Sequence, residues 1–94
     1  MNMKFFNYNF QNEKWKQYKQ QNFYTYYKNN FIILRSYNTI VGVVDLTKNI
    51  LYRTKTKYSI TTSKQLTKYA NDFQYNTEYV DNNEIQIFIY LLEF

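Results

Sequence analysis

The chain of 94 residues contains no cysteine, no proline and no histidine, and a single glycine, Gly42. Without cysteine there is no disulfide framework, thiol nucleophile or thiolate metal site, a pattern that fits a reducing, cytoplasmic location. Without histidine, neutral-pH acid–base chemistry would fall on carboxylates or lysines with displaced pKa values, and the seven acids are scattered. One glycine cannot build a phosphate-cradling loop or a dinucleotide fingerprint. Long apolar runs are also missing. The stretch Ile85 to Leu92 is interrupted by Gln86 and is far below the ~20 residues that span a bilayer, so no membrane partner is expected. The N-terminus lacks the apolar run and small-residue cleavage site of a signal peptide.

What is abundant is aromatic and basic: 12 Tyr, 8 Phe, one Trp, and 12 Lys and Arg against 7 acids, for a net charge of +5. Asn, Lys, Tyr, Phe and Ile are residues that AT-rich codons produce, which accounts for part of the lysine content. Their distribution is less easily accounted for. Residues 1–70 hold all twelve cations and two acids, Glu13 and Asp45, a balance of +10, whereas residues 71–94 hold five acids and no cation. Such two-sidedness suggests a surface for an acidic partner. The acidic segment either balances the basic one inside the fold or faces a basic partner.

One domain over 1–94 is expected. Phe6, Tyr8 and Phe10 alternate with asparagine in the two-residue period of a strand. Residues 12–21, with Asn12 as N-cap and Trp15 three before Tyr18, suggest a short N-terminal helix that exposes Lys14, Lys16 and Lys19. Residues 23–28 and 31–37 are rich in aromatic and β-branched side chains and read as a hairpin about Asn29-Asn30. Thr39 to Asp45 and Ile50 to Thr54 add two strands, with Gly42 marking a bulge or close backbone approach. Leu66, Tyr69, Ala70 and Phe73 line one helical face, and Thr62 with Gln65 matches a capping box, which predicts a helix over 62–73. Glu84 to Phe94 alternates isoleucines with other apolar side chains and reads as a strand apolar on both faces. Its second face would be covered by the sheet, the N-terminal helix or a second copy of the chain. The expected class is α+β, an antiparallel meander of four to six strands with these two helices.

Candidate chemistry is thin. Thr61-Thr62-Ser63-Lys64 sets hydroxyls beside an amine, but a capped helix start explains those residue types more simply than a Ser–Lys dyad. Asp81 and Glu84 with Asn82-Asn83 fall short of a calcium ligand set and suit a polar turn. No cofactor, metal site or enzymatic activity is expected. Lys14, Trp15, Lys16, Tyr18 and Lys19 interleave cations with rings, as a nucleic-acid contact would, though Trp15 and Tyr18 equally suit a packed stripe. Arg53, Lys55 and Lys57 would share a face if 50–58 were continuously extended. Lys64 and Lys68, one helical turn apart, would add a positive ridge, and the short Ser59-Ile60-Thr61 link could join the two sets in one patch.

Ser36-Tyr37-Asn38-Thr39-Ile40-Val41 followed by Tyr58-Ser59-Ile60-Thr61-Thr62-Ser63-Lys64-Gln65 resembles a pattern of small phage-encoded proteins from low-GC Gram-positive hosts, in which Gln65 stands where a histidine is usual. The resemblance covers roughly residues 31–73. It implies a strand–strand–helix unit and an accessory role in a phage or mobile element, and by analogy an inhibitor of a host nucleoprotein defence complex such as a CRISPR–Cas effector. The expected partners are therefore a host defence protein or ribonucleoprotein, with DNA or RNA binding in phage replication or regulation, or a structural homo-oligomer, as the alternatives.

Overall fold

The computed structural model describes residues 14–92, and the alternating stretch at Phe6 to Phe10 lies outside them. Six strands form one sheet in chain order: β1 (Lys16–Gln17), β2 (Phe23–Lys28), β3 (Phe31–Ser36), β4 (Thr39–Asp45), β5 (Ile50–Thr54) and β6 (Asn76–Val80). The first five run as an antiparallel meander, and β6 lies parallel to β5 after a crossover through α1 (Ile60–Phe73). A second helix, α2 (Asn82–Leu91), follows β6. The class is α+β with a β-meander, as the sequence predicts.

The meander forms where β-branched and aromatic residues are punctuated by asparagine. Asn29 and Asn49, each with a φ near +57°, take the left-handed turn positions between β2 and β3 and between β4 and β5. Side chains of β3 and β4 alternate between two faces, and both are covered. Ile32, Leu34, Val41, Val44 and Leu51 pack with Leu66, Tyr69 and Ala70 of α1. Ile33, Ile40 and Val43 pack with Ile85, Ile89 and Leu92 at α2. At the β3–β4 ladder the register steps from Leu34 opposite Gly42 to Arg35 opposite Ile40, which leaves Val41 as the extra residue of a bulge. A Cβ at Gly42 would meet the Tyr52 carbonyl oxygen at 3.0 Å, so the glycine marks both of the expected features, a bulge and a close backbone approach.

Three local expectations are corrected. The described part of the N-terminal helix, from Lys14, is the short strand β1 and a turn, because Trp15 is drawn into the core beside Ile85 and Ile89. Glu84 to Leu91 is helical: Ile85 and Ile89, one turn apart, face the sheet with the partly buried Phe88. The outer face of that helix leaves Ile87, Tyr90 and Leu91 exposed. Finally, α1 starts at Ile60 with Ser59 as its N-cap, the Ser59 hydroxyl accepting from the Thr62 N–H, so Thr62 and Gln65 lie inside the helix, not at its cap.

Candidate functional site

The extended backbone of β5 ends at Thr54, so Arg53, Lys55 and Lys57 do not form a cationic ladder. Arg53 turns into the protein, under α1. Its Nη1 donates to Thr67 Oγ1 at 3.0 Å and its Nη2 to the Ser63 carbonyl at 3.2 Å, while its guanidinium carbon lies 4.8 Å from the centre of the Tyr79 ring. Lys55 is exposed and paired with Asp81 at 3.7 Å. Lys57 reaches instead the outer face of α1, where it lines one open groove with Lys64, Lys68, Ser63 and Thr67. Helical periodicity aligns Lys64 and Lys68 there, because positions four apart stack on one side.

The groove's far end carries an acid. Asp72 lies 3.4 Å from Lys68 and accepts a 2.9 Å hydrogen bond from the Tyr18 hydroxyl. That hydrogen bond, with Lys68 and Lys19 nearby, holds the Asp72 carboxyl below its ordinary value. Burial, then the same bond to Asp72, pushes the Tyr18 hydroxyl up to about 12. Lys19 sits 5.6 Å from the Tyr18 ring, so Lys19 and Lys68 both act on Asp72. The acidic segment thus balances part of the basic one internally, through Asp72 and Asp81.

The interleaved aromatics are structural. Trp15 is buried and meets Tyr26 edge-on at 5.1 Å, and Arg35 lies 4.8 Å from the Trp15 ring and 4.0 Å from that of Tyr24. Tyr18 packs against Tyr69 at 4.8 Å and Phe73 at 5.5 Å. Trp15 is therefore not available to stack on an unpaired base, and Tyr18 is half-buried in its aromatic cluster. Lys14, Lys16 and Lys19 remain exposed along β1 and its turn. Of the ten residues singled out from the sequence, the fold gathers Lys57, Lys64 and Lys68, sets Lys19 near Asp72 at the far end of their groove, leaves Lys14, Lys16 and Lys55 elsewhere on the surface, and packs Trp15, Tyr18 and Arg53 against the protein.

The two segments that carry the resemblance converge. Ser36, Tyr37 and Thr39 from the β3–β4 turn meet Tyr58, Ser59, Thr61 and Thr62 around a cleft of about 340 Å³ at the start of α1. Beneath it runs a directed chain of hydrogen bonds. Ser59 Oγ donates to Thr62 Oγ1 at 3.2 Å, Thr62 and Ser36 hydroxyls are joined at 3.0 Å, Ser36 Oγ donates to Gln65 Oε1 at 2.7 Å, and Gln65 Nε2 donates to the Gln21 carbonyl at 2.9 Å. With Thr62 donating to Ser36, each of the three hydroxyls gives one proton and accepts one, so the buried Ser36 and Thr62 hydroxyls are both paired. Tyr37 stands above it with a φ of 54°, unusual for a bulky residue, its carbonyl held by Arg35 Nη1 at 2.6 Å. Serine, threonine and tyrosine recurring in both segments were the sequence signal for this junction, but spacing alone does not say that the segments touch.

Among the described residues, no three His, Cys, Asp or Glu side chains are grouped as metal ligands, and no helix is long and apolar enough to cross a membrane. No protein-family model matches the chain, and neither the characterised proteins nor the solved structures compared with it include a match.

Proposed function

We propose that this is a non-enzymatic binding protein whose α1 face engages the phosphates of a nucleic acid or of a nucleoprotein complex. In the setting that the resemblance implies, the target is a host defence complex such as a CRISPR–Cas effector, which the protein inhibits by stoichiometric binding. The observation that carries the reading is the gathering of Lys57, Lys64 and Lys68 on one open surface, from a loop and two turns of a helix. Packed rings at Trp15 and Tyr18 favour contact with a charged backbone over stacking on bases.

Fluorescence anisotropy with labelled duplex DNA, single-stranded DNA and RNA, titrated with salt, tests the phosphate contact. Duplex affinity should fall by about 0.9 log units per tenfold salt for each phosphate neutralised, and the combined Lys57→Gln, Lys64→Gln, Lys68→Gln variant should flatten that slope by roughly two to three units. Co-elution with a candidate effector complex and protection of its target test the inhibitory setting. Absence of nucleic-acid binding at low salt, together with failure to co-elute with any effector, overturns the proposal.

A further inference from the structure

Two strands bound the sheet, and they differ. β1 is two residues long, whereas β6 offers five, Asn76 to Val80, and the first four are exposed. Among the described residues nothing pairs with the outer side of β6. The Asn76 N–H donates to the Asn49 carbonyl and the Val80 carbonyl accepts from the Lys55 N–H. By the two-residue period, the main-chain groups of Asn76, Glu78 and Val80 face β5, and those of Thr77 and Tyr79 face outward. Edge strands are commonly blunted by charged side chains, lysine above all, by proline or by a bulge. Asn-Thr-Glu-Tyr-Val carries one charge, Glu78, and neither lysine nor proline, and its register with β5 runs unbroken.

The two sides of this edge have opposite electrical character. On the α1 side the exposed Tyr79 ring shields Arg53, which is 6% exposed. Arg53 has no carboxylate within 4 Å among the described residues, and its Nε has no hydrogen-bond partner. A guanidinium is always charged, and a buried charge without a counter-ion is costly. On the α2 side stands Glu78, exposed and without an ion-pair partner among the described residues.

We propose that β6 accepts an extended segment of a partner protein as a seventh strand, with an Asp or Glu of that segment turned towards Arg53 and a basic residue towards Glu78. Main-chain pairing at Thr77 and Tyr79 would supply affinity, and the two charges would supply the choice of sequence. A second copy of the chain fits poorly. In the symmetric register that pairs Thr77 with Tyr79, Glu78 meets Glu78, and β6 turns only Thr77 and Tyr79 towards Arg53, neither of them acidic. This edge adjoins the α1 groove at Ser63 and Thr67, which Arg53 touches, but its pairing groups at Thr77 and Tyr79 lie outside the groove, so amide signals on β6 and salt-dependent nucleic-acid binding can fail independently.

Amide NMR on the full chain, titrated with the peptide acetyl-Val-Glu-Lys-Glu-Val-amide, tests the proposal. Shifts and slowed hydrogen exchange are expected at the Thr77 and Tyr79 amides, with at least about tenfold weaker binding of acetyl-Val-Lys-Glu-Lys-Val-amide. Thr77→Pro removes only an outward donor and should abolish the effect while the spectrum stays dispersed. If that variant does not fold, exchange at the two wild-type amides decides. Unchanged amides at millimolar peptide, or equal binding of both peptides, overturns the proposal. So does a concentration-dependent shift of the same amides without peptide, which would make a second copy the occupant.

Discussion

Gly42 shows how much one missing side chain can decide. Val41 and Gly42 both lie on the α1 side of β4 because of the bulge, and a Cβ at position 42 would also approach Leu34 Cδ1 at 3.5 Å and Leu66 Cδ2 at 3.6 Å. Those methyl groups can adjust, but the Tyr52 carbonyl at 3.0 Å belongs to the neighbouring strand's backbone and cannot easily move. Gly42→Ala is therefore expected to destabilise the protein by about 1–3 kcal/mol, the usual range for overpacking, read as a lower urea midpoint at unchanged slope. The position was legible in the sequence as a lone glycine within a β-branched run. Arg53 was not. Alternation with Lys55 and Lys57 suggested one shared face, and only the end of β5 at Thr54 and the donors' partners on α1 show that the first cation is buried and the others are not.

At the level of elements, α1 is set by its cap. Ser59 Oγ accepts from the Thr62 N–H at 3.1 Å, and Gln74, at a φ of 57°, closes the helix with its N–H directed to the Ala70 and Asn71 carbonyls. Ser59→Ala should cost about 1 kcal/mol in chemical denaturation, and it also removes the first donor of the Ser59–Thr62–Ser36–Gln65 chain. The middle strands were legible as β-branched and aromatic runs between asparagine turns, and α1 because it shows one clean helical period. α2 was not, since Ile85, Ile87 and Ile89 fit a two-residue period as well as Ile85, Phe88, Ile89 and Leu92 fit a helical one, and β-branched isoleucine favours the wrong choice. β6 was missed for the opposite reason: only Val80 of its five residues is buried, so it has almost no apolar pattern to read. The lysine surface was half legible. Lys64 and Lys68 follow from helical spacing, whereas Lys57 joins them through a loop whose path no periodicity specifies.

Two tyrosines tie the stability of the fold to high pH. The Tyr18 hydroxyl is pushed up to about 12 and Tyr69, sealed by burial between α1 and the sheet, is raised further. A folded-state pKa above the unfolded value of ~10 gives stability that is intact below that pH and lost as pH rises through the folded value. An alkaline unfolding limb beginning near pH 10 is expected, and Tyr18→Phe should make it shallower while leaving the Tyr69 contribution. Asp72 acts in the opposite direction: its depressed pKa gives stability that is present above the unfolded carboxylate value near 4 and lost as pH falls through the folded one. Thermal melts across pH 3–11 check both limbs. The strand order carries one more consequence. A ribosome makes β1 to β5 first, a meander of neighbouring pairs with apolar side chains on both faces, and only afterwards makes the two helices that cover them. Until α2 emerges, the Ile33, Ile40 and Val43 side of the nascent sheet lacks its lid, so the risk of aggregation is concentrated in translation, and chaperone demand should follow the time the ribosome takes over residues 55 to 92.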